Sequence, residues 1–192
     1  MKKVLYFIRH AESPFVFGKE RERPLSDKGI EDSFKIMREL EEINFDLYIS
    51  SPYTRAIQTI EPMCRKENIK LYEALKEKKL KGNYKLPGYK IEEAIKESFI
   101  NRDMKLDGGE STHEVQKRAI PIIEELLEKE YENIAIGTHG NILTCILNYY
   151  DDKIGYDFWK NSSKPDIYAV IFENKEIESI NRINYDDLTF KS

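Results

Sequence analysis

The stretch Val4-Leu5-Tyr6-Phe7-Ile8-Arg9-His10-Ala11-Glu12 decides how this chain is read. Five apolar, strand-forming residues run without a polar break, as in an inner strand covered on both faces, and the run stops abruptly at charged chemistry. Arg9, His10 and Glu12 therefore stand at a strand exit. Asn133 to Thr138 repeats the arrangement, with Ile134, Ala135 and Ile136 leading into His139-Gly140-Asn141 and then an apolar helical stretch through Leu147. Between the two, Asp46 to Ser50 reads as another strand, and Ser51-Pro52 as the cap and first turn of a helix reaching about Lys66.

Outward from these segments, Lys19 to Pro24 is a charged loop, and Ser26 caps a helix whose Ile30, Phe34, Met37 and Leu40 are expected to face the core. A short strand is expected around Lys70 to Glu73, no regular element from Leu75 to Tyr89, a helix over Ile91 to Phe99 and a loop from Arg102 to Gly109. A helix follows from Ser111 to Glu130, in which Pro121 argues against an unbroken run. Ile167 to Phe172 and Glu176 to Ile183 fit a strand pair around Asn174-Lys175, and Tyr185 to Ser192 reads as peripheral. This order predicts an α/β fold, a three-layer domain with a mainly parallel central sheet flanked by helices. One domain is expected over residues 1–192, with residues 75–110 as a substrate-shaping insertion within it.

The chain has 192 residues, 40% of them hydrophobic and 34% charged, which fits a globular domain better than a fibre, a disordered chain or a membrane protein. Lys and Arg number 31 against 35 Asp and Glu, a formal charge of -4, so nucleic-acid binding is not expected. Arg9, His10 and Glu12 interrupt the early apolar run before a signal-peptide core or membrane span forms. Cys64 and Cys145 are too few for a disulfide scaffold. A cytoplasmic location without membrane attachment is the expectation, and the oligomeric state is open.

If the strands lie parallel, their carboxyl ends bring Arg9-His10, Ser50 to Arg55 and His139-Gly140-Asn141 into one crevice. An imidazole with one unprotonated nitrogen can attack phosphorus, while arginines hold phosphoryl oxygens and stabilise the charge that develops on transfer. The inventory suits a phosphate monoester. Two histidines and an acidic residue could instead bind a divalent metal, but Arg9 and Arg55 would repel a cation and attract a phosphoryl group. No metal and no organic cofactor are expected.

Arg9-His10-Ala11-Glu12 resembles the Arg-His-Gly-Glu signature of the histidine phosphatase superfamily, the phosphoglycerate mutase-like proteins, with Ala11 in place of the usual glycine. Leu25-Ser26-Asp27-Lys28-Gly29 is similar to the segment that opens that family's first main helix. Ser50-Ser51-Pro52-Tyr53-Thr54-Arg55-Ala56-Ile57-Gln58-Thr59 resembles its next signature. Gly109-Glu110-Ser111 with Arg118, and Thr138-His139-Gly140-Asn141 with Asn141 for a common second glycine, resemble its later ones.

The resemblance, from Val4 through Leu147, implies a phosphoglycerate mutase-like fold with His10 as nucleophile and Arg9, Arg55 and His139 on the phosphate. Leu75-Lys76-Glu77 stands where the family's Leu-x-Glu segment falls, so Glu77 is the first choice for proton donor. Glu110 is the alternative acid, with a structural role near the Ser111 cap as its other reading. Arg21 and Arg23 lie in a loop that can reach the substrate, although their acidic neighbours also fit a solvated loop. Asn141 can add a polar contact, and His113 reads as a capping or surface residue. The length lacks the insertions of the larger cofactor-dependent mutases. The expected activity is therefore metal-independent hydrolysis of a small-molecule phosphate monoester through a phosphohistidine. Mutase-type phosphoryl transfer and a weakly catalytic phosphoprotein-binding module stay open as alternatives.

Overall fold

The computed structural model describes residues 2–64 and 68–184. Its strands are β1 (Lys2–Arg9), β2 (Leu47–Ser50), β3 (Lys70–Leu71), β4 (Asn133–Thr138), β5 (Asp166–Glu173) and β6 (Glu176–Ile183). Its helices are α1 (Asp27–Glu39), α2 (Thr54–Ile60), α3 (Gly88–Ile100), α4 (Thr112–Glu128), α5 (Gly140–Tyr150) and α6 (Tyr156–Asn161). The strands form one sheet in the order β3-β2-β4-β1-β5-β6. The first four run parallel, while β5 and β6 add antiparallel beside β1.

Register places the chemistry. Arg9 pairs with Thr138 across β1 and β4, and Ser50 pairs with Gly137 across β2 and β4, so the three carboxyl ends are level. The strands are covered on both faces, as the continuous apolar runs require. Leu5 and Phe7 join Ile134 and Ile136 against Val115, Ala119 and Ile123 of α4 and Ile142 and Ile146 of α5. On the opposite face Ile8 and Ala135 meet Ile36 of α1, Leu40 at the end of that helix, and Ile60 of α2. The result is the expected three-layer α/β fold.

Helix α1 begins where Ser26 predicts, with the Ser26 hydroxyl accepting the Gly29 amide at 3.0 Å, and Leu40 and Met37 meet the core as expected, but the rest of its inward face differs. Gly29, Ser33, Ile36 and Leu40 are buried, whereas Ile30 and Phe34 are 43% and 46% exposed. The reason is close approach: a side chain at position 29 would place its Cβ 2.2 Å from the Glu12 carbonyl oxygen. Only the glycine face fits against the loop after β1. That rotation also buries Asp32, which Lys28 and Lys35 neutralise at 2.7 and 2.8 Å.

Helix α2 starts at Thr54 with Tyr53 as its N-cap rather than after a Ser51 cap; the Ser51 hydroxyl accepts the Tyr53 amide ahead of the helix and meets His139 Nε2. It ends at Ile60, followed by a 3-10 turn at Glu61–Met63 that contains Pro62. The expected extension toward Lys66 falls partly on residues outside those described, as does the segment from Tyr185 to Ser192. Helix α4 continues through Pro121, whose ring lies on the exposed side. Its start is fixed by a reciprocal capping box between Ser111 and Glu114. The short helix α6 was not legible in the sequence.

Phe7 is fully buried in the central strand. Phe7→Ala should therefore lower unfolding stability by about 3–5 kcal/mol, read as a shifted denaturation midpoint at unchanged slope in urea.

Candidate active site

Arg9 and His10 leave β1, Ser50 and Ser51 leave β2, and Thr138 and His139 leave β4. The His10 and His139 rings meet edge to face with centroids 5.2 Å apart. His10 is buried, and its Nδ1 lies 2.7 Å from the Ala11 carbonyl oxygen. A carbonyl only accepts, so Nδ1 carries the proton and Nε2 keeps its lone pair. Burial first, then the Arg55 charge, holds the His10 pKa well below its ordinary value, which favours that neutral tautomer.

His139 is fully buried, with Nε2 2.7 Å from the Ser51 hydroxyl. Ser51 accepts the Tyr53 amide at 3.2 Å and can donate its own proton to His139 Nε2, the arrangement that leaves the His139 proton on Nδ1. Nδ1 is a buried atom with no hydrogen-bond partner among the described residues. Burial and the Arg55 charge keep this ring neutral as well. Tyr53 packs edge-on against it at 5.2 Å between centroids, and Arg55 lies 5.0 Å from the Tyr53 ring centre.

Both site arginines are buried and anchored at one end. Arg9 Nη1 donates to the Ser162 carbonyl at 3.0 Å and to the Ser162 hydroxyl. Arg55 Nη1 donates to the Glu20 carbonyl, and Arg55 Nη2 is 3.5 Å from the Glu20 carboxylate. The Nε of each is buried without a partner among the described residues. Burial, then Arg23, pulls the Arg55 pKa down to about 10, which leaves the guanidinium charged near neutrality. Gly140 makes room for Arg9: a Cβ there would lie 2.8 Å from the guanidinium carbon.

Glu77 reaches the same site from the loop after β3. Its Oε1 accepts the Lys78 amide at 2.8 Å and the Ile142 amide at 2.9 Å, and its Oε2 accepts the Asn141 amide at 3.3 Å. The carboxyl group thus sits at the start of α5 beside His139. Asn141 contributes this backbone amide, while its buried side-chain oxygen has no partner among the described residues.

The remaining candidates separate. Arg23 bonds the Ser13 carbonyl and hydroxyl at 2.8 and 2.7 Å, and its charge lowers the pKa of both Arg55 and His139, so it borders the site. Arg21 is exposed and paired with Glu73 through two bonds at 3.1 and 2.8 Å. Glu110 is not among the groups facing the histidines: its carboxylate takes two bonds from Arg118 and one from the Lys79 amide. His113 lies on the surface, with Nδ1 2.7 Å from Asp103.

Ser162 and Lys164 were not singled out by sequence, and Ser51 was read as a helix cap within the segment expected at the crevice. Lys164 is an exposed residue whose ammonium is held below its usual range by burial of the charged end, then by Arg9 and Arg23. Among the described residues, no group of three or more His, Cys, Asp and Glu could hold a metal ion, and no helix is long and apolar enough to cross a membrane.

The sequence matches the family model of the histidine phosphatase superfamily (branch 1) over residues 5–182. Comparison with curated proteins returned no significant sequence match. The fold is similar to a mycobacterial glucosyl-3-phosphoglycerate phosphatase at TM-score 0.72 and 18% identity, covering 95% of this chain and 97% of that one. It is also similar to a phosphoserine phosphatase from Entamoeba histolytica in complex with 3-phosphoglyceric acid, at TM-score 0.75 and 18% identity, with coverage of 95% and 98%. At these identities the likeness establishes the fold.

Two outcomes follow from the buried, neutral histidines and the crowded Arg9. Both histidine pKa values are lowered below about 6.5 in the fold, so the unfolded chain binds protons that the native chain does not as pH falls beneath that value. Stability is complete above about 6.5 and is lost on acidification toward the folded pKa values; His139→Gln should flatten that decline in urea titrations run at stepped pH. Gly140→Ala should weaken binding of inorganic phosphate by roughly tenfold or more, measured by calorimetry, because Arg9 must move from its anchored position.

Proposed function

The chain belongs to the histidine phosphatase superfamily, and from that premise we propose that it hydrolyses a small-molecule phosphate monoester through a phosphohistidine at His10. The bond from His10 Nδ1 to the Ala11 carbonyl carries the reading, because it fixes the tautomer whose Nε2 lone pair is the nucleophile. The lowered pKa keeps that lone pair available through the neutral range.

In the first step the Nε2 lone pair forms the N–P bond as the ester P–O bond breaks. Arg9, Arg55 and the His139 Nδ1 proton hold the phosphoryl oxygens and take up the charge that develops on them. The leaving alkoxide takes a proton from Glu77, which starts this step as the carboxylic acid. Oε2 is the oxygen suited to carry that proton, since it accepts one amide at 3.3 Å where Oε1 accepts two shorter bonds. In the second step the Glu77 carboxylate takes a proton from water, the hydroxide adds to phosphorus, the N–P bond breaks and inorganic phosphate leaves.

These roles need neither metal nor organic cofactor. Residues 75–110, which present Glu77 and include α3, would shape the alcohol side of the substrate. Arg23 and Lys164 add positive charge at the rim. The glucosyl-3-phosphoglycerate and phosphoserine phosphatases of the same fold act, by their names, on small phosphomonoesters, in keeping with this reading. Glu110 is assigned a structural role instead of the acid's.

A panel of phosphate monoesters should show inorganic phosphate release that His10→Ala reduces by at least about 10⁴-fold, with no phosphoenzyme trapped by rapid quench in the variant. Unchanged release in the variant would remove His10 as nucleophile. Isomer formation that depends on a bisphosphorylated activator would reassign the chain to mutase-type transfer, and tight phospholigand binding without turnover would make it a binding module.

A further inference from the structure

Three backbone carbonyls around the loop that presents Glu77 converge on one side chain from α4. Arg118 Nη1 donates to the Ala74 carbonyl at 2.6 Å and the Lys76 carbonyl at 3.0 Å, while Nη2 reaches the Glu77 carbonyl at 3.4 Å. The rest of the guanidinium faces Glu110: Nε meets Oε1 at 2.8 Å and Nη2 meets Oε2 at 3.0 Å. Glu110 completes the arrangement through two backbone bonds with Lys79, its Oε2 accepting the Lys79 amide at 2.8 Å and its own amide donating to the Lys79 carbonyl at 2.7 Å. Arg118 and Glu110 are both largely buried, with side chains 18% and 21% exposed.

We propose that Arg118 and Glu110 are positioning residues for the general acid: they fix the backbone of residues 74–79 so that the Glu77 carboxyl stands over the leaving oxygen of the substrate. The proposal rests on the phosphatase reading and on Glu77 as its acid. The geometry favours this role over a plain surface ion pair. An exposed pair closes one contact between two mobile side chains. Here every nitrogen of the guanidinium is committed, and both partners also bond the backbone on either side of the acid.

The planar fork is what the site uses. It satisfies a carboxylate along one edge and carbonyls along the other, which the point charge of a lysine cannot reproduce. A proton donor is sensitive to such support, because its efficiency depends on a heavy-atom separation of about 2.6–3.2 Å from the oxygen it protonates. The loop is also tied at Lys78, whose ammonium is bonded to Ser98 at 3.0 Å and Thr112 at 3.1 Å. Loss of Arg118 should therefore misplace the acid without releasing the whole segment.

Leaving-group dependence tests this, since an alkyl phosphate needs protonation of its alkoxide and 4-nitrophenyl phosphate scarcely does. Arg118→Lys should slow phosphoenzyme formation, followed by rapid quench in a single turnover so that the later hydrolysis step does not enter, by roughly 30-fold or more with an alkyl phosphate and by less than about threefold with 4-nitrophenyl phosphate. Glu77→Gln should show the same selective loss, and the double variant should lose little beyond Glu77→Gln alone. If Arg118→Lys does not fold, Glu110→Gln is read by the same ratio and should show a smaller selective loss. Equal losses on both substrates in the Arg118 or Glu110 variant, with selectivity intact in Glu77→Gln, would overturn the positioning role and leave the acid standing. Absence of selectivity in Glu77→Gln would overturn the acid assignment, and the positioning role with it, while activity lost in His10→Ala would still stand for the nucleophile.

Discussion

The parallel pairing of β4 with both β1 and β2 is the constraint on which the site depends. Three strands whose sequence positions span most of the chain end at one level because Arg9 faces Thr138 and Ser50 faces Gly137. A slip of one residue in either pairing would turn a strand's side chains to the opposite face and carry its exit residue out of the crevice. Gly137 belongs to the same constraint: a Cβ there would come within 2.7 Å of the Ser50 hydroxyl and 2.9 Å of the Ala56 carbonyl. Its absence lets α2 approach the strand ends and carry Arg55 into the site.

Once that level is set, charge governs the chemistry. Arg9 and Arg55 are buried with neighbours that only partly neutralise them; Glu20 borders Arg55, and Glu77 raises the pKa of both arginines against the larger effect of burial. Neither histidine adds a charge, because the same burial and the same arginines keep both rings neutral. A site of this kind gains most from an anion with several acceptor oxygens, and a phosphoryl group offers unpartnered donors of both arginines something to bond. The conditions that favour such an anion also keep the His10 ring unprotonated.

Much of this was legible from local sequence. Apolar runs ending in Arg9-His10 and in His139-Gly140 declare buried strands with polar exits, and Ser26 and Ser111 declare helix starts. Side-chain facing was less legible. Hydrophobic spacing chose Ile30 and Phe34 for the core, whereas close backbone approach at Gly29 decided the face of α1, a contact with Glu12 that no periodicity encodes. Ser51 looked like a cap because its tertiary partner, His139, lies 88 residues away. The resemblance ranked Glu77 above Glu110 as candidate acid, but their partners were not legible: helix-end amides for one, a guanidinium and a loop amide for the other. Ser162 and Lys164 carry no local signal, since only the return of the chain into β5 brings them beside Arg9.

The start of α5 has its own meaning for how the molecule comes together. Its N-cap residue, His139, supplies no side-chain cap, and the amides of Asn141 and Ile142 are taken instead by Glu77, 64 and 65 positions earlier in the chain. A helix capped by its own flanking residue can complete its first turn by itself, but this one waits for a distant segment to dock. Closing such a contact costs loop entropy that is recovered only when both partners are in place. Completion of the first turn of α5 and docking of Glu77 are therefore a single event, so a chain with a finished α5 already holds that carboxyl group beside His139.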